Sequence, residues 1–146
     1  MKIVELRLVP DNKKGIVDYS ALKRKPEPHE EYTAEYFARR GYTVTFLKTS
    51  NIKGSHSPDF LLIGRIWETK SPITYSDSSF EDNFKKAEKQ SGNVIFDLRR
   101  LNKKNESLYL KNLIKRSTSN KIKTLLVINR EEKLLTIKGT FGKIKT

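Results

Sequence analysis

The chain contains no cysteine. That removes disulfide scaffolds, thiolate zinc sites and cysteine nucleophiles, and it leaves the redox character of the compartment unreadable. Histidine is scarce: His29 and His56 are the only two, too far apart for a helical metal-binding pair, so a histidine zinc motif is excluded as well. Long apolar runs are also missing. Nothing approaches the roughly 20 residues of a membrane span, and Met1-Lys2-Ile3-Val4-Glu5-Leu6-Arg7 is too charged for a signal-peptide core. Neither a Gly-rich phosphate loop of the Walker type nor a nucleophile elbow occurs, so a nucleotide cofactor and serine chemistry have no support, and no membrane partner is expected. What is present suffices for one domain. In 146 residues, seven Phe, six Tyr and one Trp supply a core although 32% of the chain is charged, which argues against wholesale disorder.

Acidic residues are in short supply, 17 against 30 Lys and Arg, for a net charge of +13. Residues 1–84 carry thirteen basic and twelve acidic side chains; residues 85–146 carry seventeen and five. A basic second part beside a nearly neutral first part points to a polyanionic partner, with phosphates gripped by one part and acids kept for another purpose in the other. A lysine-rich surface serving only solubility is the bland alternative. For phosphate contact the candidates are Lys85, Lys89, Arg99, Arg100, Lys103 and Lys104.

The hydrophobic pattern predicts a mixed α/β domain. Strands are expected over 2–9, 42–47, 60–63, 66–67, 94–98, 122–128 and 134–137, with helices from near His29 to Arg40, from Ser78 to Gln90 and from Glu106 to Arg116. Pro28, Glu30 and Glu31 suit the first helix's opening turn, and Gly41 its end; Ala34, Phe37 and Ala38 form its expected buried stripe. Ser78-Ser79-Phe80-Glu81 has capping-box spacing, Ser91-Gly92 stops that helix, and Leu110, Leu113 and Ile114 should pack the third. Residues 1–28 read as an N-terminal strand and lead-in segment, and 29–146 as the main domain, a mixed sheet with helices on its faces.

The informative stretch runs from Ser57 to Pro72. With Gly64-Arg65 as a two-residue turn, Ile63 faces Ile66, Leu61 faces Glu68 and Asp59 faces Lys70. Alternation then puts Asp59, Leu61, Glu68 and Lys70 on one face, and Phe60, Leu62 and Trp67 on the other. Cross-strand side chains lie roughly 5 Å apart and diagonal ones roughly 7 to 8 Å. One divalent ion could therefore bridge Asp59 and Glu68, with the Thr69 carbonyl as a further ligand and Lys70 beside its water, an arrangement suited to phosphodiester hydrolysis with Mg²⁺ or Mn²⁺. An ordinary Asp59–Lys70 ion pair next to an exposed Glu68 is the structural alternative.

Pro58-Asp59 followed by Glu68-Thr69-Lys70 resembles the signature of the PD-(D/E)xK nuclease superfamily. Within it, His29-Glu30-Glu31, Ala34-Glu35-Tyr36-Phe37, Gly41-Tyr42, Trp67 to Pro72, Lys89-Gln90-Ser91 and Asn93 to Arg99 resemble the tRNA-nuclease domains at the C-terminal ends of CdiA-type contact-dependent growth inhibition toxins, over roughly residues 29–138. The resemblance implies a restriction-endonuclease-like fold, a toxic nuclease acting on tRNA in the cytoplasm, and a cognate immunity protein, expected to be acidic. It also implies Asp59, Glu68 and Lys70 at the centre, with a first-helix glutamate in support; Glu30 and Glu31 stand four and three residues before Ala34, so either could point at the hairpin, and Glu30 is favoured. Gln90 follows Ala87 by three residues and is either a hydrogen-bonding group of the site or a helix-ending polar residue. The opening Met1 leaves two origins open, a delivered toxin domain or a phage or mobile-element protein. RNA is favoured over DNA by the resemblance alone. Two other chemistries compete: a metal-independent RNase using His29 and His56, and a non-catalytic module in which Tyr75, Tyr109 and Phe141 stack on bases. Asp97 reads as a strand-end turn residue.

Overall fold

The computed structural model describes residues 3–6, 15–21, 26–47 and 60–141. Its elements follow the order β1 (Val4–Leu6), β2 (Val17–Asp18), α1 (Pro28–Ala38), β3 (Val44–Phe46), β4 (Phe60–Leu62), β5 (Arg65–Lys70), α2 (Asp77–Gln90), β6 (Asn93–Asp97), α3 (Lys103–Arg116), β7 (Thr124–Ile128) and β8 (Leu134–Lys138). One mixed sheet of eight strands results, in the order β1-β8-β7-β6-β5-β4-β3-β2. This is the α/β architecture with helices on its faces that the hydrophobic pattern predicts.

The sheet centre is parallel. β5, β6 and β7 run side by side, each pair joined by a helical crossover, and they carry the longest buried runs, Val94 to Leu98 and Thr124 to Ile128. Antiparallel strands flank them, β3 and β4 on one side and β8 and β1 on the other, and β2 adds a short parallel edge on β3. Because paired residues share a face, Trp67, Thr69, Ile95, Leu126 and Ile128 turn one way. There they meet Ala34, Tyr36 and Phe37 of α1 and form one core. Val94, Phe96, Leu125 and Val127 turn the other way onto Phe80, Phe84 and Ala87 of α2 and Tyr109 and Leu113 of α3. The sheet thus separates a layer of one helix from a layer of two.

Several expected boundaries move, each for a local reason. Helix α1 buries Thr33, Ala34, Tyr36 and Phe37, whereas Ala38, at its last turn, is only half-buried. Helix α2 starts at Asp77 because Ser76, not Ser78, is the N-cap; the Ser76 Oγ accepts the Ser79 N–H at 3.1 Å. In α3 the cap is Asn102, whose Oδ1 accepts the Asn105 N–H at 2.8 Å, so the helix begins three residues before Glu106. It buries Tyr109 and Leu113, with Leu110 and Ile114 at the margin.

The β4–β5 hairpin turns at Ile63-Gly64, one residue earlier than Gly64-Arg65. Both central residues have positive φ, 49° and 73°, and Phe60 pairs with Trp67, Leu61 with Ile66 and Leu62 with Arg65. The opposition of Ile63 to Ile66 and of Leu61 to Glu68 is therefore corrected. Moving the turn by one residue shifts cross-strand partners by two, which preserves the faces: Leu61, Glu68 and Lys70 still share one, and Phe60, Leu62 and Trp67 the other.

Two glycines allow a clean contrast. Gly64 and Gly139 both sit at φ 73°; a Cβ on Gly64 meets nothing within 4 Å, but one on Gly139 lies 2.5 Å from the Lys123 carbonyl oxygen and 2.9 Å from the Thr124 Oγ1. Gly64→Ala is expected to cost about 1 kcal/mol from backbone strain alone, and Gly139→Ala about 2–4 kcal/mol from strain plus crowding. Urea denaturation of the two variants checks the order.

Candidate active site on strand β5

Strand β5 is hydrogen-bonded on both sides, so its side chains have only the two sheet faces to occupy. Trp67 goes into the α1 core, where its indole N–H donates to the Leu62 carbonyl at 3.0 Å. Glu68 and Lys70 face the α2 side. Glu68 is 2% exposed, and its Oε1 lies 3.6 Å from the Lys70 Nζ, whose side chain is 18% exposed. A carboxylate and an ammonium thus meet inside a sheet whose other central residues are mainly apolar. Such a pair adds little to stability, since desolvating both charges offsets most of their attraction. Its placement gives a general acid–base pair or an ion-binding carboxylate a fixed geometry on a rigid strand.

The end of α2 is fixed beside this strand. The Ser91 Oγ and the Asn93 Nδ2 donate to the Ile66 carbonyl at 3.0 and 3.3 Å, two residues before Glu68. In the same last turn, the Gln90 Oε1 is buried and accepts no hydrogen bond. An amide oxygen without a donor in a dry position costs on the order of 1–3 kcal/mol, which a ligand or cation would recover. Glu30 closes the first turn of α1, where its Oε1 accepts the Glu27 N–H at 3.1 Å. Asp59 and His56 lie outside the described residues. Among the described residues, no three of His, Asp and Glu gather as a metal-binding group.

The six basic candidates separate in space. Lys85 and Lys89 are exposed on α2, and Lys103 and Lys104 are exposed on the first turn of α3, against the helix dipole. Arg100 reaches back to Ser71, the residue after Lys70, with its Nε 3.0 Å from the Ser71 Oγ and a second bond to the Ser71 carbonyl. Arg99 is different. Its side chain is 3% exposed and its guanidinium donates twice to Asp97, at 2.9 and 2.7 Å, and once to the Tyr32 carbonyl at 3.1 Å, so it is engaged inside the fold. Burial works against its charge, but the hydrogen bonds and charge of Asp97 prevail and hold the guanidinium above its ordinary pKa.

Sequence reasoning passed over this network. Asp97 is fully buried, accepts the Thr33 hydroxyl at 2.8 Å and so ties α1 to the end of β6. The only sequence signal was the Asp97-x-Arg99 spacing. Of the three proposed base-stacking aromatics, Tyr109 and Phe141 are packed, at 0% and 9% exposed, and Tyr75 is half-buried. Tyr75 donates to the Asp77 Oδ1 at 2.6 Å, which pushes its phenol up to about 12.

No curated protein matches the chain. Among solved structures, the fold is similar to a chain of the CdiA-CT/CdiI toxin and immunity complex from Burkholderia pseudomallei, with a TM-score of 0.57, 16% identity, and 80% of this chain and 94% of the other covered. The family model of the contact-dependent growth inhibition CdiA C-terminal domain matches residues 56–134, more than half of the sequence and the whole of the β4–β5 hairpin. The chain therefore belongs to the contact-dependent growth inhibition CdiA C-terminal domain family.

Proposed function

We propose that the protein is a toxic, metal-dependent nuclease of the PD-(D/E)xK type that acts on RNA, tRNA above all, in the cytoplasm of the cell it enters. The observation that carries this reading is the pairing of a buried Glu68 with a half-buried Lys70, two residues apart on the same face of a central strand. Asp59 is bonded to Phe60, and Phe60 lies opposite Trp67, the residue bonded to Glu68. The donor chemistry fits a hard cation: a buried carboxylate on Glu68 and a buried amide oxygen on Gln90 without a hydrogen bond offer oxygen ligands, with no cysteine anywhere in the chain.

In this reading Asp59 and Glu68 hold Mg²⁺ or Mn²⁺, which when bound acidifies a water and polarises the phosphoryl oxygen. Lys70 donates a hydrogen bond that orients the attacking water and stabilises charge growing on the phosphorus oxygens. Water's oxygen forms the new bond to phosphorus as the ribose oxygen leaves with a proton. Gln90 acts as a second hydrogen-bonding group at the site, whereas Glu30 caps α1, in the layer on the other face of the sheet from Glu68 and Lys70, and is left out of it. Lys85, Lys89, Arg100, Lys103 and Lys104 hold the substrate backbone.

The solved structure it resembles is a toxin–immunity complex. We infer from this that a cognate immunity protein neutralises the chain, and a net charge of +13 calls for an acidic face on that partner. The test of substrate is direct. Incubated with total tRNA, plasmid and single-stranded DNA in Mg²⁺, the protein should cut tRNA; cutting of DNA in its place would move the reading to a DNA endonuclease. The site has its own test: Mn²⁺ should raise the melting temperature of the wild type and leave Asp59→Ala unchanged, whereas equal shifts would remove Asp59 from the metal site.

A further inference from the structure

Helix α3 is amphipathic in an instructive way. Tyr109 and Leu113 are buried on its inner side, while Lys104, Lys111 and Lys115 are exposed. At 100° per residue these three lysines fall within about 40° of one another, and at 1.5 Å per residue the row is about 16 Å long. On the neighbouring helix α2, Lys85 and Lys89 are exposed one turn apart, and the nearby Asp82 is engaged by Lys86 at 3.8 Å. None of the five lysines is in an ion pair among the described residues. The opposite layer has the other sign, with Glu30, Glu31 and Glu35 on α1.

Two further observations give the row a direction and a ligand. At its N-terminal end lies Arg100, four residues before Lys104, fastened to Ser71, which follows Lys70. The row therefore leads to the Glu68–Lys70 pair. Phe80, Phe84 and Tyr109 are all buried, so neither helix carries an exposed aromatic plane; the half-exposed Tyr75 between them is set edge-on against Tyr109 with its hydroxyl committed to Asp77, and the exposed Tyr19 and Tyr32 lie elsewhere. Single strands are held by stacking their bases on such planes, whereas a duplex hides its bases and offers phosphates.

We propose that the outer faces of α2 and α3 form a phosphate track for duplex RNA, such as a helical arm of a folded RNA, and that the track delivers the strand to β5. This rests on the nuclease reading for its purpose, but it is tested by binding alone. Fluorescence anisotropy in EDTA, with a 20-base-pair RNA duplex and an oligouridine strand of 20 nucleotides as probes, should show the duplex bound at least about tenfold tighter, by the weight given to backbone contacts. In the Lys111→Ala/Lys115→Ala protein the slope of log affinity against log salt should fall by about 2, while the equally charge-reduced Lys121→Ala/Lys123→Ala protein keeps most of it. Equal losses in the two double variants, equal binding of strand and duplex, or tenfold preference for a DNA duplex over the RNA one would overturn the proposal. A protein that binds duplex as described yet cuts nothing in Mg²⁺ would sink the nuclease reading and leave the track intact.

Discussion

Asp97→Ala is expected to lower stability by about 3–5 kcal/mol, a large part of the 5–15 kcal/mol typical of a domain. The carboxylate is fully buried and accepts from the Thr33 hydroxyl, the Arg99 backbone N–H and two guanidinium nitrogens. Removing it leaves the Arg99 charge inside the fold, with a 3.5 Å contact to the half-exposed Glu132 as its remaining anion. That contact is at the rim, where ion pairs are worth about 0–1 kcal/mol. The Arg99 guanidinium would still lie 3.8 Å above the Tyr32 ring, which moderates the loss without cancelling it. Because the two residues act as a unit, the double variant Asp97→Ala/Arg99→Ala should cost less than the sum of the single ones. Equilibrium denaturation measures all three. A loss below about 1 kcal/mol in Asp97→Ala would mean that the network is incidental.

Lys70→Met should cut the turnover of RNA by about 10²–10⁴-fold, the range for loss of a group that moves or orients a proton in the transition state. Methionine keeps the unbranched apolar stem along β5 but takes the ammonium away from the buried Glu68 carboxylate, so the melting temperature should fall while the circular dichroism of the folded protein is kept, and turnover is compared below that melting temperature. KM should hold, because the substrate backbone is assigned to the exposed lysines and Arg100. Glu68→Gln is expected to be at least as severe in turnover, since it removes the charge that would hold the cation. Retention of activity within tenfold in Lys70→Met would contradict the assignment of roles.

The face shared by Glu68 and Lys70 was legible because strand alternation needs only the knowledge that residues 65–70 are extended. Their register was not. Gly64-Arg65 follows the usual preference, whereas the actual turn puts a β-branched residue, Ile63, at φ 49°, an unfavourable choice made acceptable by packing of Ile63 against the α1 core. β2 carried no local signal either: two residues become a strand only because β3 lies beside them. The start of α3 was obscured by Lys103 and Lys104, poor residues for a first turn, of which Lys104 belongs to the proposed phosphate track. Arg99 shows the limit of counting charges, since a guanidinium assigned to the surface by composition is committed to Asp97.

The central claim is metal-dependent hydrolysis at β5, and cleavage of total tRNA in Mg²⁺, in excess EDTA, and by Asp59→Ala in Mg²⁺ tests it most directly. The account predicts cutting in the first condition and none in the other two. Cutting that survives both EDTA and the substitution would contradict it and move the chemistry to a metal-independent RNase built on His29 and His56.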